Sequence, residues 1–325
     1  MKLAIFGYGN LGRGTECAVL QNPDTECVGV FTRRDPKTVK TLTGVPVYAA
    51  EQLDAFAGQI DVLIVCGGSA KDLPELTPRL AEKFTLVDSF DTHAKIPAHF
   101  DAVDAAARKG GNVALISAGW DPGLFSLARL YAGAVLPQGG DYTFWGRGVS
   151  QGHSDAIRRI PGVIDARQYT VPLQNAVESV RRGKMPALTA REKHLRECYV
   201  VAEPDADREK IREAICAMPD YFADYDVTVQ FITEEEMKRD HAELPHGGCV
   251  IRSGKTGLHA EHTHTVEYSL SLDSNPEFTA GVLVAFARAV VRMKARGDVG
   301  CKTVFDIAPA DLSPLSREAL RAALL

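Results

Sequence analysis

The chain has 325 residues, of which 45% are hydrophobic, enough to bury a large core and to form two domains. A formal net charge of -5 without a basic run excludes a nucleic-acid-binding surface, and no apolar run reaches the roughly 18 to 20 residues of a membrane-spanning helix. Because there is also no signal-peptide pattern and the seven cysteines are scattered without a CxxC pair, we expect a soluble, cytoplasmic protein.

The first predicted element is a buried strand, residues 2–6, which leads through the glycine-rich turn Gly7-Tyr8-Gly9-Asn10-Leu11-Gly12 into a helix. In such a turn Gly7 permits the bend, Gly9 lets backbone N–H groups approach a pyrophosphate, and Gly12 lets the helix pack closely on the strand. The positive N-terminal end of the helix would face the phosphates. The segment therefore predicts a dinucleotide-binding site rather than a chance glycine turn.

The second predicted strand, residues 26–31, ends at Thr32-Arg33-Arg34, where an NAD-binding chain usually has an acidic residue for the ribose 2′-hydroxyl. Guanidinium groups bind phosphate oxygens in a bidentate manner, so the two arginines favour a 2′-phosphate and hence NADP(H). The alternative is a solvated basic turn in which Asp35 holds the ribose of NAD.

Strands and helices continue to alternate up to residue 120. Further strands are predicted at 45–48, 61–66, 85–88 and 112–117, with helices at 12–21, 51–56, 73–82 and 96–109. The continuous apolar run 61–66 is typical of a parallel strand covered on both faces. The fold class is therefore α/β, with a Rossmann-type doubly wound parallel sheet in a dinucleotide-binding domain of residues 1–120.

The pattern changes after residue 120. A helix at 124–134 leads to the segment 142–145 and a glycine-rich loop, and candidate strands follow at 166–171, 197–201, 227–232, 248–252 and 263–272. Antiparallel strands separated by helices predict a second, α+β domain over residues 121–275. A long apolar helix at 276–293 then begins after an Asn-Pro pair, and we expect the segment 276–325 to pack back on the first domain.

The turns after the fourth, fifth and sixth strands are the candidate reaction site, because ligands bind at the carboxyl ends of the strands in this architecture. They carry two carboxylates, Asp91 and Asp121, which could hold an ammonium group, take up its proton and favour the iminium formed when hydride leaves. The alternative is that each aspartate only caps the following helix. The proton acceptor stays open between Asp91, Asp121, His153 and a bound water.

The second domain offers positive and polar partners for a carboxylate. Arg196, His246 and Thr170 could bind one together, since a guanidinium group is the natural bidentate partner of a carboxylate. The alternative is that each of these residues is structural.

Beyond these general motifs, the chain resembles the meso-diaminopimelate dehydrogenase family over nearly its whole length. The stretches that carry the resemblance are GYGNLG at Gly7, FTRR at Phe31, CGGSAKDLPE at Cys66, VDSFDTH at Val87, SAGWDPGLFS at Ser117, FWGRGVSQGHSDAIRRIPGV at Phe144, MPDYF at Met218, LPHGG at Leu244 and HTVEYSLSLDSNPEFTA at His264. The resemblance implies a homodimer with a nucleotide domain, a dimerisation region and a substrate domain that closes over the ligand.

The resemblance also implies a reaction and its residues. The family reversibly deaminates the D-centre of meso-2,6-diaminopimelate with NADP+, giving ammonia and L-2-amino-6-oxopimelate, in lysine and cell-wall precursor metabolism. By position, Asp91 and Asp121 match the carboxylates that hold the reacting amino group. The implied substrate contacts are Asp91, Trp120, Asp121, Trp145, Gln151, Gly152, Thr170, Arg196, His246 and Asn275. The implied cofactor contacts are Gly7, Tyr8, Gly9, Asn10, Leu11, Gly12, Thr32, Arg33, Arg34, Cys66, Gly67, Gly68, Ser69, Ser89, Phe90, Asp91, Ala118, Gly119, Trp120, Asp121 and Pro122.

One segment departs from the family pattern. Residues 257–264 are a few residues longer than is usual and contain His259, His262 and His264. We expect a lengthened hairpin loop there and no metal site. Two other functions remain as alternatives, an NADPH-dependent reductase of the dihydrodipicolinate type and a noncatalytic NADPH-binding sensor.

Overall fold

The computed structural model describes residues 1–325, which divide into two compact units. Unit 1 consists of Met1–Leu127 and Pro276–Leu325, and unit 2 consists of Ala128–Asn275. The division falls inside a helix, a few residues after the boundary at residue 120 that the sequence predicts. None of the helices combines the length and the apolar character that a membrane crossing requires.

The elements are numbered along the chain. The strands are β1 (Lys2–Phe6), β2 (Glu26–Thr32), β3 (Val47–Ala49), β4 (Val62–Val65), β5 (Leu86–Asp88), β6 (Val113–Leu115), β7 (Gly139–Trp145), β8 (Gly148–Val149), β9 (Val163–Pro172), β10 (His194–Ala202), β11 (Asp226–Phe231), β12 (His246–Thr256), β13 (His262–Leu272) and β14 (Gly300–Lys302). The α-helices are α1 (Asn10–Leu20), α2 (Leu73–Ala81), α3 (Ile96–Gly110), α4 (Leu124–Val135), α5 (Gln151–Arg158), α6 (Gln174–Arg181), α7 (Ala190–Lys193), α8 (Arg208–Cys216), α9 (Glu234–Asp240), α10 (Asn275–Ala295), α11 (Pro309–Leu312) and α12 (Arg317–Leu324).

Unit 1 is built on a seven-stranded sheet in the order β14-β6-β5-β4-β1-β2-β3. All of its strand pairs are parallel, and the strand order reverses between β1 and β4. All four residues of β4 are buried because helices cover both faces. The predicted doubly wound parallel sheet is therefore confirmed, and β14 is the one strand of this sheet that the sequence did not predict.

Two hydrophobic cores cover the faces of this sheet. On one face, residues of α10 such as Leu283 and Phe286 pack with Leu3 and Ile5 of β1. On the other face, α2 and α3 pack on the alternate residues of the same strands. Alternation along each strand thus fixes both cores, and α10 is part of unit 1 through its buried apolar side chains.

Unit 2 contains a four-stranded sheet, β11-β10-β9-β8, and a three-stranded sheet, β13-β12-β7. The strand pairs are antiparallel, as predicted, except that β10 and β11 are parallel. The exception follows from α8, which lies between these strands in the chain and provides the crossover that a parallel pair needs. The sequence did not predict β7, β8 or the short helices α5, α6, α7, α8 and α9.

Candidate active site

The glycine-rich turn between β1 and α1 has the geometry that a pyrophosphate requires. Gly7 has φ +94° and lies so close to the following strand end that a Cβ there would be 2.6 Å from the carbonyl oxygen of Cys66. A Cβ on Gly12 would overlap the carbonyl oxygen of Gly7, whereas one on Gly9 would meet nothing within 4 Å. Helix α1 begins at Asn10 without a side-chain cap, so its first N–H groups are available to phosphate oxygens.

Tyr8, which belongs to this turn, directs its side chain into the protein. Its hydroxyl donates a hydrogen bond to the buried carboxylate of Glu16, which also accepts the backbone N–H groups of Leu42 at 3.1 Å and Thr43 at 2.7 Å. Burial, together with Glu16, raises the pKa of Tyr8 to about 12. Burial alone would raise the pKa of Glu16, but the hydrogen bonds from Thr43, Tyr8 and Leu42 outweigh it and lower that pKa. Only the main chain of Tyr8 is therefore placed to meet a cofactor.

The end of β2 carries the two arginines. Arg34 donates to the carbonyl oxygen of Tyr8 at 2.5 Å, and Arg33 forms an ion pair with Asp72 at 2.7 Å. The other oxygen of Asp72 accepts the N–H of Gly68, so the loop after β4 is tied to the loop after β2. The Gly68 N–H and the Arg33 guanidinium lower the pKa of Asp72.

Asp35, the alternative ribose ligand, has another role. Its Oδ1 accepts the N–H of Lys37 at 3.0 Å and caps a short 3-10 helix. Thr32 is buried and its hydroxyl accepts the N–H of Arg34. The cationic side chains thus form the exposed end of this turn, an arrangement that fits a 2′-phosphate better than a ribose hydroxyl.

The loops after β4 and β5 are joined by Ser69. Its Oγ accepts the backbone N–H groups of Asp91 at 2.8 Å and Thr92 at 3.1 Å. The N-cap position of the next short helix is Thr92, so Asp91 does not cap that helix. Asp91 is exposed. The side chain of Phe90 is buried, so only its main chain could contact a ligand.

The loop after β6 carries Trp120 and Asp121. The Trp120 ring is 7% exposed and packs edge-on against Phe125 with a centroid distance of 5.3 Å. Asp121 is partly exposed, and its peptide bond to Pro122 is cis. Helix α4 begins three residues after Asp121, so Asp121 lies outside the position that would cap it. Since β5 and β6 are adjacent, Asp91 and Asp121 follow the carboxyl ends of neighbouring parallel strands.

In unit 2, a cross-strand row brings three of the sequence-predicted residues together. Arg196 of β10 lies opposite Thr170 of β9, which lies opposite Gly148 of β8. The guanidinium of Arg196 donates to the Thr170 hydroxyl, and His246 packs so closely on Gly148 that a Cβ there would be 2.6 Å from its ring. Thr170, Arg196 and His246 therefore share one place in the fold.

Arg196 has the properties of an anion-binding residue. It is 6% exposed, its guanidinium lies 4.0 Å from the centre of the Tyr225 ring, and no carboxylate of the chain pairs with it. Its Nε has no hydrogen-bond partner. Burial lowers the pKa of Arg196 while the Tyr225 hydroxyl opposes this effect. A buried guanidinium with donors left over is suited to a carboxylate ligand.

The remaining sequence-predicted residues lie near this row. Trp145 donates its N–H to Nε2 of His194 at 2.8 Å, and the two rings stack at a centroid distance of 5.4 Å. Gln151 and Gly152 begin α5 and are exposed. Asn275 donates its N–H to the carbonyl oxygen of Leu244, in the segment that leads to His246.

His153, a candidate proton acceptor, is a weak base in this structure. Its Nδ1 lies 2.7 Å from the Ser150 hydroxyl, and its ring is packed edge-on against Tyr221 and Phe222. Burial, helped by the charge of Arg196, lowers the pKa of His153 to about 3.

The β12–β13 hairpin contains no group of side chains that could hold a metal ion.

Sequence reasoning missed the supporting residues Glu16, His194 and Tyr225. A glutamate inside a predicted helix gives no sign of burial, and Tyr225 reaches Arg196 only through the fold. The one signal for His194 was its position two residues before Arg196 in the same strand.

Several known proteins are similar to this chain over its whole length. The family model of the diaminopimelic acid dehydrogenase C-terminal domain matches residues 119–274. A meso-diaminopimelate D-dehydrogenase of Ureibacillus thermosphaericus is 58% identical over 325 residues, which cover 100% of this chain and 99% of that protein. A six-substituted meso-DAP dehydrogenase of Clostridium tetani, solved with DAP, is 49% identical with a TM-score of 0.95, covering 100% of this chain and 99% of that one. An engineered D-amino acid dehydrogenase bound to NADP+ is 46% identical with a TM-score of 0.90 and the same coverage.

Proposed function

The chain belongs to the family of meso-diaminopimelate D-dehydrogenases, and from that membership we propose which of its residues hold the cofactor and the substrate. Its activity is the NADP-dependent oxidative deamination of the D-centre of meso-2,6-diaminopimelate, in lysine and cell-wall precursor metabolism. NADP+, when bound, accepts hydride from that carbon. Full-length identity of 58% to a relative is the observation that carries this conclusion.

The cofactor is held by the loops of unit 1. The turn from Gly7 to Gly12 binds the pyrophosphate through backbone N–H groups, and Arg33 and Arg34 bind the 2′-phosphate. The open side of Gly9 and the uncapped start of α1 support the first assignment. The remaining cofactor contacts are Thr32, Cys66, Gly67, Gly68, Ser69, Ser89, Phe90, Asp91, Ala118, Gly119, Trp120, Asp121 and Pro122.

The reacting amino group is held by Asp91 and Asp121. Two fixed carboxylates favour a positive nitrogen both as ammonium and as the iminium that forms when hydride leaves the carbon. Water then adds to the iminium carbon and ammonia leaves, which gives the 6-oxo product. The low pKa of His153 makes it a poor proton acceptor, so the proton of the ammonium passes to one of these carboxylates or to a bound water.

The distal L-centre carboxylate is bound by Thr170, Arg196 and His246. The Clostridium tetani enzyme that was solved with DAP carries substitutions at a glutamine, a threonine, an arginine, a proline, a histidine and an asparagine. The same residue types recur here with the same spacing at Gln151, Thr170, Arg196, Pro245 and His246. The asparagine corresponds to Asn275, which lies two residues further along the chain than this spacing would place it. This correspondence supports the assignment. It also supports an insertion of two residues between His246 and Asn275, the range that contains β12 and β13.

The rest of the substrate site consists of Trp120, Trp145, Gln151, Gly152 and Asn275. Both ends of the substrate carry an ammonium and a carboxylate, so only the placement of fixed charges decides which end is oxidised. Binding energy from the distal end orients the reacting end. A D-amino acid without that second end is therefore a poor substrate.

Unit 2 serves in substrate binding and in dimerisation, and the chain acts in the cytoplasm as a homodimer. Support for the dimer comes from the α4–β13 face, defined here by the exposed side chains of Leu130, Tyr131 and Val135 in α4 and Val266 and Tyr268 in β13. Thr143, Val250 and Tyr268 share one sheet face by register, and Arg129 of α4 bonds Thr143, so both elements lie on the same side of the sheet. Exposed apolar side chains beside an edge strand are typical of an interface.

The function is tested by the absorbance of NADPH after the protein is mixed with NADP+ and meso-diaminopimelate at alkaline pH. We expect turnover with the meso isomer, none with the LL isomer, which lacks a D-centre, and a kcat/KM at least about 100-fold lower for D-alanine, which lacks the distal end. Turnover of a cyclic imine with NADPH, without turnover of meso-diaminopimelate, would instead show a reductase. Binding of NADPH without any turnover would show a sensor.

A further inference from the structure

Asp88, at the end of β5, is a fully buried carboxylate on which four donors converge. Its Oδ2 accepts hydrogen bonds from the Thr77 hydroxyl in α2 and from Nε2 of His99 in α3, both at 2.8 Å. Its Oδ1 accepts the backbone N–H groups of Phe90 at 3.0 Å and Ser117 at 2.9 Å. Because the carboxylate oxygen is the acceptor in this contact, the donor is the N–H at Nε2 of His99.

The two backbone bonds hold the loops that carry Asp91 and Asp121. Phe90 directly precedes Asp91, and Ser117 opens the segment that leads to Asp121. Ser117 has φ +58°, in the left-handed region that residues other than glycine seldom adopt. Since that conformation costs free energy, it persists only where the surroundings hold it, and the bond to Asp88 does so.

His99 reaches this arrangement from the helix behind the sheet. It is 5% exposed, and its ring stacks on the Phe90 ring at a centroid distance of 4.1 Å and an interplanar angle of 21°. One imidazole thus contacts both the carboxylate and the residue next to Asp91. Removing the N–H of His99 leaves the buried Asp88 carboxylate with one hydrogen-bond donor fewer. The carboxylate then favours a different position, and its hydrogen bonds to the two loops become weaker.

We propose that His99 is a positioning residue for the deamination, acting through Asp88 to fix the loops that place Asp91 and Asp121. It touches neither substrate nor cofactor in this role. The inference rests on the function and on the carboxylate roles proposed above, and nothing in the general dinucleotide motif requires a histidine in this helix.

The test compares His99→Leu, which removes the donor, with His99→Gln, whose amide N–H can replace Nε2. With NADP+ and meso-diaminopimelate saturating, we expect kcat to fall about tenfold or more in His99→Leu and to stay within about threefold of the wild type in His99→Gln. The KM for meso-diaminopimelate should change less than kcat. His259→Leu, the same change at an exposed hairpin position, is the matched control and should leave kcat unchanged.

A second measurement does not depend on turnover. Hydrogen exchange at the amides of Phe90 and Ser117 should be about tenfold faster or more in His99→Leu than in the wild type, and near the wild-type rate in His99→Gln. A lower melting temperature with unchanged kcat and unchanged exchange in His99→Leu would overturn the proposal, as would equal loss of kcat in both variants. Absence of turnover in the wild type would contradict the proposed function instead, while the exchange result would still decide whether His99 positions the loops.

Discussion

Arg33 and Arg34 are adjacent in the chain, but their guanidinium groups have different partners. Arg34 is bound to the carbonyl oxygen of Tyr8, inside the dinucleotide turn, and Arg33 is paired with Asp72. Under the proposed assignment, a 2′-phosphate would meet one arginine that the turn already orients and another that is also paired with a carboxylate. Both remain exposed enough to reach a ligand.

Replacing both arginines by alanine should raise the dissociation constant of NADP+ while changing that of NAD+ little. Charge-assisted hydrogen bonds contribute about 1.5 to 3 kcal/mol, so we expect NADP+ binding to weaken by roughly 10- to 100-fold. Protein fluorescence titrations with both nucleotides measure this. The double variant Lys37→Ala and Lys40→Ala removes the same charge from the same segment, between β2 and β3, and should weaken NADP+ binding much less. An unchanged ratio of the two affinities in the arginine variant would show that this turn does not select the cofactor.

At the level of elements, His194 joins β10 to the end of β7. Its Nε2 accepts the N–H of Trp145, and the residue is 1% exposed. Burial, with the charges of Arg196 and Lys193, lowers the pKa of His194 to about 3. The folded protein therefore contains the neutral imidazole, and this contact keeps the Trp145 backbone in place.

The free energy of unfolding should decrease as the pH falls from about 6.5 toward 3, because in that range the unfolded chain binds a proton at His194 and the folded chain does not. At pH 5 the loss from one such histidine is about 2 kcal/mol. His194→Gln keeps an acceptor but does not titrate, so urea unfolding at pH 7.5 and pH 5 should show a loss smaller by that amount. His259→Gln, at an exposed position, should behave as the wild type. Equal pH dependence in His194→Gln and the wild type would disprove the role of this burial.

The sequence was most informative where one element carries its own signal. The apolar run of β4 and the glycines before α1 predicted the parallel sheet and the cofactor turn, because burial on both faces and close backbone approach constrain the residue types locally. It was least informative about contacts between distant residues. The carboxylate of Asp88 joins α2, α3 and two loops, and Tyr225 covers Arg196, yet neither contact leaves a periodic pattern.

Resemblance to a family supplied what the residues alone left open. Residue type alone suggested that Arg196, His246 and Thr170 bind a carboxylate, but each could equally be a structural residue. The family pattern implied that their ligand is the distal L-centre carboxylate. The structure places these three residues together through strand register and the close packing of His246 on Gly148. The sequence predicted antiparallel strands throughout unit 2, and this was wrong for β10 and β11, which pair in parallel. The error arose because the crossover helix α8 was not predicted.

For the whole molecule, the α4–β13 face should form the contact between two copies. The double variant Tyr131→Glu and Val135→Glu puts two charges on an apolar surface, and a two-fold axis repeats them on the second copy. In sedimentation equilibrium we expect the wild type to have twice the 35.2 kDa chain mass. The dissociation constant of the dimer should be at least about 30-fold higher in the variant. Leu324→Glu, a charge at another exposed apolar position, is the control and should stay dimeric. A monomeric wild type, or a variant that dimerises equally well, would refute this assignment.

Asp91 and Asp121 are proposed to hold the amino group of the D-centre. A crystal structure of the protein with NADP+ and meso-diaminopimelate tests it most directly through the distances from that nitrogen to the two carboxylates. We expect both carboxylates within hydrogen-bond distance of about 3 Å. A nitrogen remote from both aspartates, or a D-centre bound instead against Arg196 and His246, would contradict this assignment.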